Sequence, residues 1–145
     1  MSDITLSATW QGGFDGEGKI TGKNLEAGIG IPTEYGGSGA GTDPKTLFTS
    51  STQACFTLTL RAITAKQNIP VQTLAVDTQA KASGEEFAIH HTAKLVLSAN
   101  ATEDDRSAAE AAIARADKVC MIGNLAKKAG VTIDATPEIT VDATV

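Results

Sequence analysis

Two cysteines, Cys55 and Cys120, are the side chains of this chain with the most chemistry to offer. In a reducing compartment such a pair is more often catalytic or redox-sensing than a permanent staple. Cys55 sits in an apolar stretch with Phe48, Ser51, Leu58, Thr59 and Ala62 at helical spacing around it. Read alone, it is a small core residue. A helix midpoint offers a thiolate no dipole stabilisation, so reactivity there calls for a cation from another segment. Cys120 lies in the run 117–124, at a junction between two helical segments, where the amides of a helix N-terminus favour a thiolate. The spacing is compatible with a transient disulfide, but spacing alone does not bring the sulfurs together.

Other chemistries find less support. His90 and His91 are adjacent in an alternating segment, so they point to opposite faces: one toward solvent or a polar side, the other a satisfied, half-buried histidine. With them divided, no zinc site is expected, nor any other metal or cofactor. The glycines from Gly36 to Gly41 lack the Gly-Lys-Ser/Thr ending of a phosphate loop and read as a mobile lid or interface loop. No Gly-x-Ser-x-Gly elbow is present, and Asp104 with Asp105 reads as helix-start charge, not a catalytic carboxylate pair.

The elements that must position the cysteines follow from hydropathy and turn residues. Residues 4–10 alternate as a half-buried strand, the glycines between 12 and 18 turn the chain, and strands follow over 19–22 and about 24–31, closed by Pro32. Residues 46–67 hold no Gly or Pro and are apolar on more than one face, which predicts a long, largely buried helix. Thr42 or Asp43 is placed to cap it, with Pro44 at its first position, unless a bend delays the start. A β-hairpin over 71–82 and 87–98 comes next. The run 102–105 opens an amphipathic helix with Ala108, Ala112, Ala116 and Val119 on one face, a short helix covers 121–129, and strand material over 131–136 and 138–141 closes the chain. The order gives a single α+β domain over residues 1–145.

Composition narrows the function classes. With 145 residues, 41% apolar and 20% charged, the chain suits one soluble core, but few aromatics fill it, and such lean cores often rely on a subunit interface. A net charge of -5, with its twelve lysines and arginines scattered, excludes nucleic acid as the expected partner. Residues 1–10 have neither a basic start nor a continuous apolar run, so a signal peptide or membrane span is not expected and a cytosolic location is.

With these residues in view, Gly41-Thr42-Asp43-Pro44-Lys45-Thr46-Leu47-Phe48, then Ala54-Cys55-Phe56, and later Ala116-Asp117-Lys118-Val119-Cys120 with Asn124 resemble the OsmC/Ohr proteins of osmotic and organic hydroperoxide stress. The resemblance extends over nearly the whole chain. It implies an intertwined α+β homodimer, with antiparallel sheets around a long buried central helix and two active sites at the subunit interface. It also implies Cys55 as the peroxidatic thiol, Cys120 as the resolving thiol, an organic hydroperoxide as substrate and an external dithiol as reductant.

The chain departs from the family pattern at the residues that hold the peroxidatic thiolate. Ohr-type proteins carry an arginine after the paired glycines of the first hairpin and a glutamate after the turn before the long helix; here those positions are Phe14 and Lys45. The OsmC branch places its arginine before the glycine turn, where Tyr35 stands. Met121 replaces the proline that commonly follows the second cysteine. Lys45 is the candidate for the missing positive charge, without an arginine's bidentate geometry. On a straight helix, though, it lies ~15 Å from Cys55 along the axis, so a bend or the partner subunit must bring it closer. The expected activity is thiol-dependent hydroperoxide reduction; the alternative is a non-catalytic relative that binds a small apolar ligand at the dimer interface or senses redox state.

Overall fold

The computed structural model describes residues 3–143. Ten elements of regular structure occur among them, nine of which carry labels here: β1 Leu6–Gln11, β2 Glu17–Gly22, β3 Leu25–Ile29, α1 Pro44–Lys66, β4 Val71–Ser83, β5 Glu86–Leu97, α2 Glu103–Val119, α3 Met121–Lys128 and β6 Thr132–Val141, with a short 3-10 turn at Thr33–Tyr35. They fall into two compact units, one ending at Phe48 and one starting at Thr49.

In the N-terminal unit β1, β2 and β3 form an antiparallel meander. Every residue of β1 is exposed, and Leu6, Trp10, Phe14, Leu25 and Tyr35 present apolar surface. The glycine segment expected to be mobile is instead tied down. Gly39 N–H donates to Ile31 O at 2.9 Å, Thr42 N–H to Gly28 O at 2.7 Å, and Ser38 Oγ to Gly16 O at 3.2 Å. Gly41 has φ +75°, and a Cβ there would lie 2.4 Å from the carbonyl carbon of Gly28. Only glycine fits that close approach. At the end of this unit Asp43 caps α1: its carboxylate accepts from the Thr46 N–H and hydroxyl, each at 3.0 Å, with Pro44 in the first helical position.

The C-terminal unit holds the core. Its sheet has the order β4-β5-β6. β4 and β5 are an antiparallel hairpin across Gly84 and Glu85, with Gly84 at φ +59°. β6 runs parallel to β5, because the chain between them crosses over through α2 and α3. The sheet is therefore mixed, where the sequence predicts only antiparallel pairing. β6 also passes through Pro137 unbroken, which an edge strand tolerates because one side of it needs no ladder donors.

Phe56 and Leu60 of α1, Ala93, Leu95 and Leu97 of β5, and Ala109, Ala112, Ile113 and Ala116 of α2 pack into one cluster that includes Cys120. α2 starts with a capping box, in which Thr102 and Asp105 exchange side-chain bonds to each other's N–H at 3.1 and 2.9 Å. Its buried face is Ala109, Ala112, Ile113 and Ala116, turned from the expected one: Val119 is exposed. The long helix is buried less than the sequence suggests. Thr52, Phe56, Leu60 and Thr64 form one buried stripe, whereas Leu58 is 70% exposed. Its several apolar faces exceed what one copy of the chain covers.

Candidate active site

α1 places Cys55 beside the buried stripe, partly exposed and packed against the core cluster. Phe56, the next residue, is locked by a stack on the His91 ring, with centroids 4.8 Å apart and planes at 13°. His91 in turn shares a hydrogen bond with the Thr78 hydroxyl at 2.8 Å. Gln53 Nε2 donates to Val76 O at 3.0 Å, tying the same stretch of α1 to β4.

Cys120 closes α2 and caps α3 at once, in an extended conformation between the two helices. Its N–H donates to Ala116 O at 3.1 Å, and its sulfur accepts from Gly123 N–H at 3.4 Å. Asn124 Nδ2 donates to Lys118 O at 3.0 Å, and Lys127 Nζ reaches both the carbonyl and the carboxylate of Asp117. The junction that carries Cys120 is thus fixed from both helices.

The two thiols meet here. Burial raises the Cys55 thiol, but donors outweigh it and hold the group below the ordinary cysteine value: the Cys120 thiol, the Ile122 N–H, the Thr59 hydroxyl and the Met121 N–H. Cys120, almost fully buried, is pushed up to about 11 by burial and by its hydrogen bond to Cys55, against the Gly123 N–H, which lowers it. Of the two thiols, Cys55 is the more acidic. The first amides of a helix have no partner within it; in α3 that of Gly123 donates to Cys120 Sγ. Both cysteines are free. A depressed thiolate beside a neutral thiol suits attack on an electrophile followed by disulfide closure.

The sequence places helix amides at Cys120, where the Gly123 N–H meets the sulfur. Nothing in the local sequence of α1 signals the proximity of Cys120, which only the fold brings about. Thr59 is visible at helical spacing, but its hydroxyl's direction is not. Gly123 has a signal in hindsight, a small residue three after a cysteine at a helix start. A Cβ there would sit 3.3 Å from Cys120 Sγ.

Lys45 occupies the first turn of α1, which continues to Lys66. Phe14 and Tyr35, at the arginine positions of the family, are exposed. His90 pairs with Asp134 and bonds Thr136 on β6, while His91 is buried outright instead of half-buried. Among the described residues no group of three or more His, Cys, Asp or Glu side chains is placed to hold a metal ion. None of their helices is long and apolar enough to cross a membrane.

Fold and site together define an α+β protein with adjoining cysteines at a helix junction. The chain matches the family described as OsmC-like protein over residues 36–136, and it belongs to that family. It is 29% identical over 122 residues to the Bacillus subtilis (strain 168) protein YmaD, a match covering 81% of each chain. An organic hydroperoxide resistance protein of Xanthomonas axonopodis pv. citri (strain 306) is 36% identical over 66 residues, 45% of this chain and 46% of that one. Among solved structures, an organic hydroperoxide resistance protein OsmC of Legionella pneumophila superposes with a TM-score of 0.66 at 23% identity, covering 97% of this chain and 100% of that one. At that identity the likeness speaks for the fold.

Proposed function

We propose that this protein reduces organic hydroperoxides, with Cys55 as the peroxidatic and Cys120 as the resolving thiol. The observation that carries the reading is the shared site, in which one thiol is held toward thiolate and its neighbour kept protonated. The Cys55 thiolate attacks the outer oxygen of the O–O bond. That bond breaks, the alkoxide takes up the proton the thiol gave, and an alcohol leaves Cys55 as a sulfenic acid. Cys120 then attacks that sulfur, releasing water and forming a disulfide, which an external dithiol reduces to two thiols while becoming a disulfide itself. An organic substrate is favoured by the apolar surroundings, since Leu58 one turn along α1 and Met121, next to Cys120, are both largely exposed.

The reading takes residues 1–145 as one cytoplasmic domain acting as a homodimer. The exposed apolar residues of β1 to β3 and of α1 support a second copy as their cover. Lys45 is assigned the role of a cation supplied across that dimer. A second reading, binding of a small apolar ligand, draws support from a cavity of about 820 Å³ in the N-terminal unit, lined by Trp10, Ile20, Ile29, Ile31 and Pro32 among others.

The test is one equivalent of cumene hydroperoxide on the reduced protein, then alkylation and peptide mass spectrometry. The expected product is a Cys55–Cys120 disulfide, with steady turnover when a dithiol is supplied. Two freely alkylated cysteines after excess hydroperoxide would remove the peroxidase and leave the apolar ligand.

A further inference from the structure

One residue separates α2 from α3. Cys120 has φ -62°, a helical value, and ψ 115°, which is not, so the change of direction between the helices lies in a single torsion. Rotation about that ψ swings α3, and with it the Gly123 N–H that Cys120 Sγ accepts at 3.4 Å and that fixes where the sulfur points. The last carbonyls of a helix have no partner within it. At the end of α2 the carbonyl of Asp117 accepts from Lys127 Nζ at 3.2 Å and that of Lys118 from Asn124 Nδ2 at 3.0 Å, while Lys127 Nζ lies 3.3 Å from the Asp117 carboxylate. Asn124 and Lys127 are three residues apart, on one face of α3. The two helices thus cap each other across Cys120: its sulfur serves the start of α3, and α3 serves the end of α2.

We propose that Asn124 and Lys127 are positioning residues for the resolving thiol: their clasp on the end of α2 holds the joint at Cys120, and so the direction of its sulfur, for closure on an oxidised Cys55. The proposal rests on the reading of Cys55 as the peroxidatic and Cys120 as the resolving thiol. A disulfide forms only within a narrow range of separations and side-chain directions. Cys55 packs against the cluster that contains Cys120, so the pose of the second sulfur is what remains to be set. Timing gives that pose its consequence. A sulfenic acid that Cys120 does not reach meets a second hydroperoxide: its sulfur takes the outer oxygen, the O–O bond breaks and an alcohol leaves, giving a sulfinic acid that a dithiol does not reduce. Lys127 is the stronger of the two ties, since a charged donor serves a carbonyl and a carboxylate at a helix end whose dipole favours a cation.

The experiment compares wild type, Lys127→Met, Lys127→Arg and Asn124→Ala in two assays. Methionine keeps the apolar stem and removes the donor; arginine keeps donor and charge. In the first assay the proteins are equilibrated with mixtures of reduced and oxidised glutathione, and the fraction holding a Cys55–Cys120 disulfide gives the effective concentration of one thiol at the other. Lys127→Met should lower it about tenfold, a rise in potential of ~30 mV, and Asn124→Ala about threefold, with Lys127→Arg near wild type. In the second, cumene hydroperoxide is added in graded excess without a reductant, and the concentration at which half of Cys55 is sulfinic acid should fall by similar factors.

Values unmoved in both Lys127→Met and Asn124→Ala, or lowered as much in Lys127→Arg as in Lys127→Met, would overturn the proposal, even where melting temperatures drop, for the clasp would then be structural alone. Because glutathione replaces hydroperoxide in the first assay, the two readings fail separately. An effective concentration that falls in Lys127→Met and returns in Lys127→Arg, without oxidation of Cys55 by hydroperoxide, removes the peroxidase and keeps the clasp. Brisk turnover with an unmoved effective concentration does the reverse.

Discussion

The N-terminal and C-terminal units solve the burial problem in opposite ways. From Thr49 onward the chain closes a core of its own: Phe56, Leu60, Leu95, Leu97 and Ile113 are all within 2% of full burial. Before that, β1 is exposed along its whole length, and Trp10 and Leu25 are each 41% exposed. A segment of that size cannot enclose much apolar surface, so its β-branched and aromatic residues serve a face, not an interior. The contrast separates two properties that a single stability measurement would blur. The two cysteines and the core belong to one unit, and the exposed large apolar side chains belong largely to the other.

The largest effect that isolates the C-terminal unit is on turnover. Cys55→Ser should lower hydroperoxide reduction by roughly a thousandfold or more, since a serine hydroxyl at neutral pH is a far weaker nucleophile than a thiolate, while oligomeric state and melting temperature stay put. Cys120→Ser should keep a first oxidation and lose the cycle, with Cys55 sulfinic acid accumulating under excess hydroperoxide. Stopped-flow reduction of cumene hydroperoxide with mass spectrometry of the products reads both. Steady turnover by Cys120→Ser at the wild-type rate would detach the second cysteine from the mechanism.

Next in size is the core itself. Leu60→Ala should cost about 2–5 kcal/mol in denaturant unfolding, as for other fully buried leucines. Trp10→Ala should behave differently. If the proposed dimer closes over the face of β1 to β3, loss of this aromatic should weaken dimerisation by ~2 kcal/mol, or about thirtyfold, seen by light scattering across a dilution series, with a melting temperature that depends on protein concentration. If Trp10→Ala instead leaves self-association untouched, the exposed face of β1 to β3 is not where copies meet, and the contrast between the units loses its explanation.

Much of this was legible in the residues, for identifiable reasons. The long helix announces itself by the absence of Gly and Pro and by Asp43 with Pro44 at its start, and the hairpin by its turn residues, because these signals are local. Pro137 misleads, since a break and an edge strand look alike until the neighbours of β6 are known. The parallel pairing of β5 with β6 follows from the crossover through α2 and α3, a property of the path that no strand carries in its own sequence. At the site, both cysteines stand out by type. That they adjoin cannot be read there, because only the tertiary placement of the junction after α2 brings Cys120 to Cys55.

The smallest expected effect concerns His91, and it reads the C-terminal unit alone because the chain's two histidines, His90 and His91, both lie there. Burial lowers the His91 pKa, with Asp117 raising it, His90 on the same strand lowering it, Asp134 raising it and Lys127 lowering it. The ring therefore stays neutral in the folded protein to a lower pH than in the unfolded chain, whose histidines titrate near ~6.5. Above about pH 7 both states hold the neutral ring and His91 adds no pH dependence. As pH falls below ~6.5 the unfolded state takes up the proton first, so stability is lost on acidification, at up to about 1.4 kcal/mol per pH unit for one proton. Urea unfolding between pH 7.5 and 5.5, above the main carboxylate range, should show this slope in wild type and lose most of it in His91→Gln, whatever that substitution costs at pH 7.5. An equal slope in both would mean that the ring is hydrated and titrates freely. The stack on Phe56, which holds α1 beside Cys55, would then be looser than a ring separation of 4.8 Å and full burial imply.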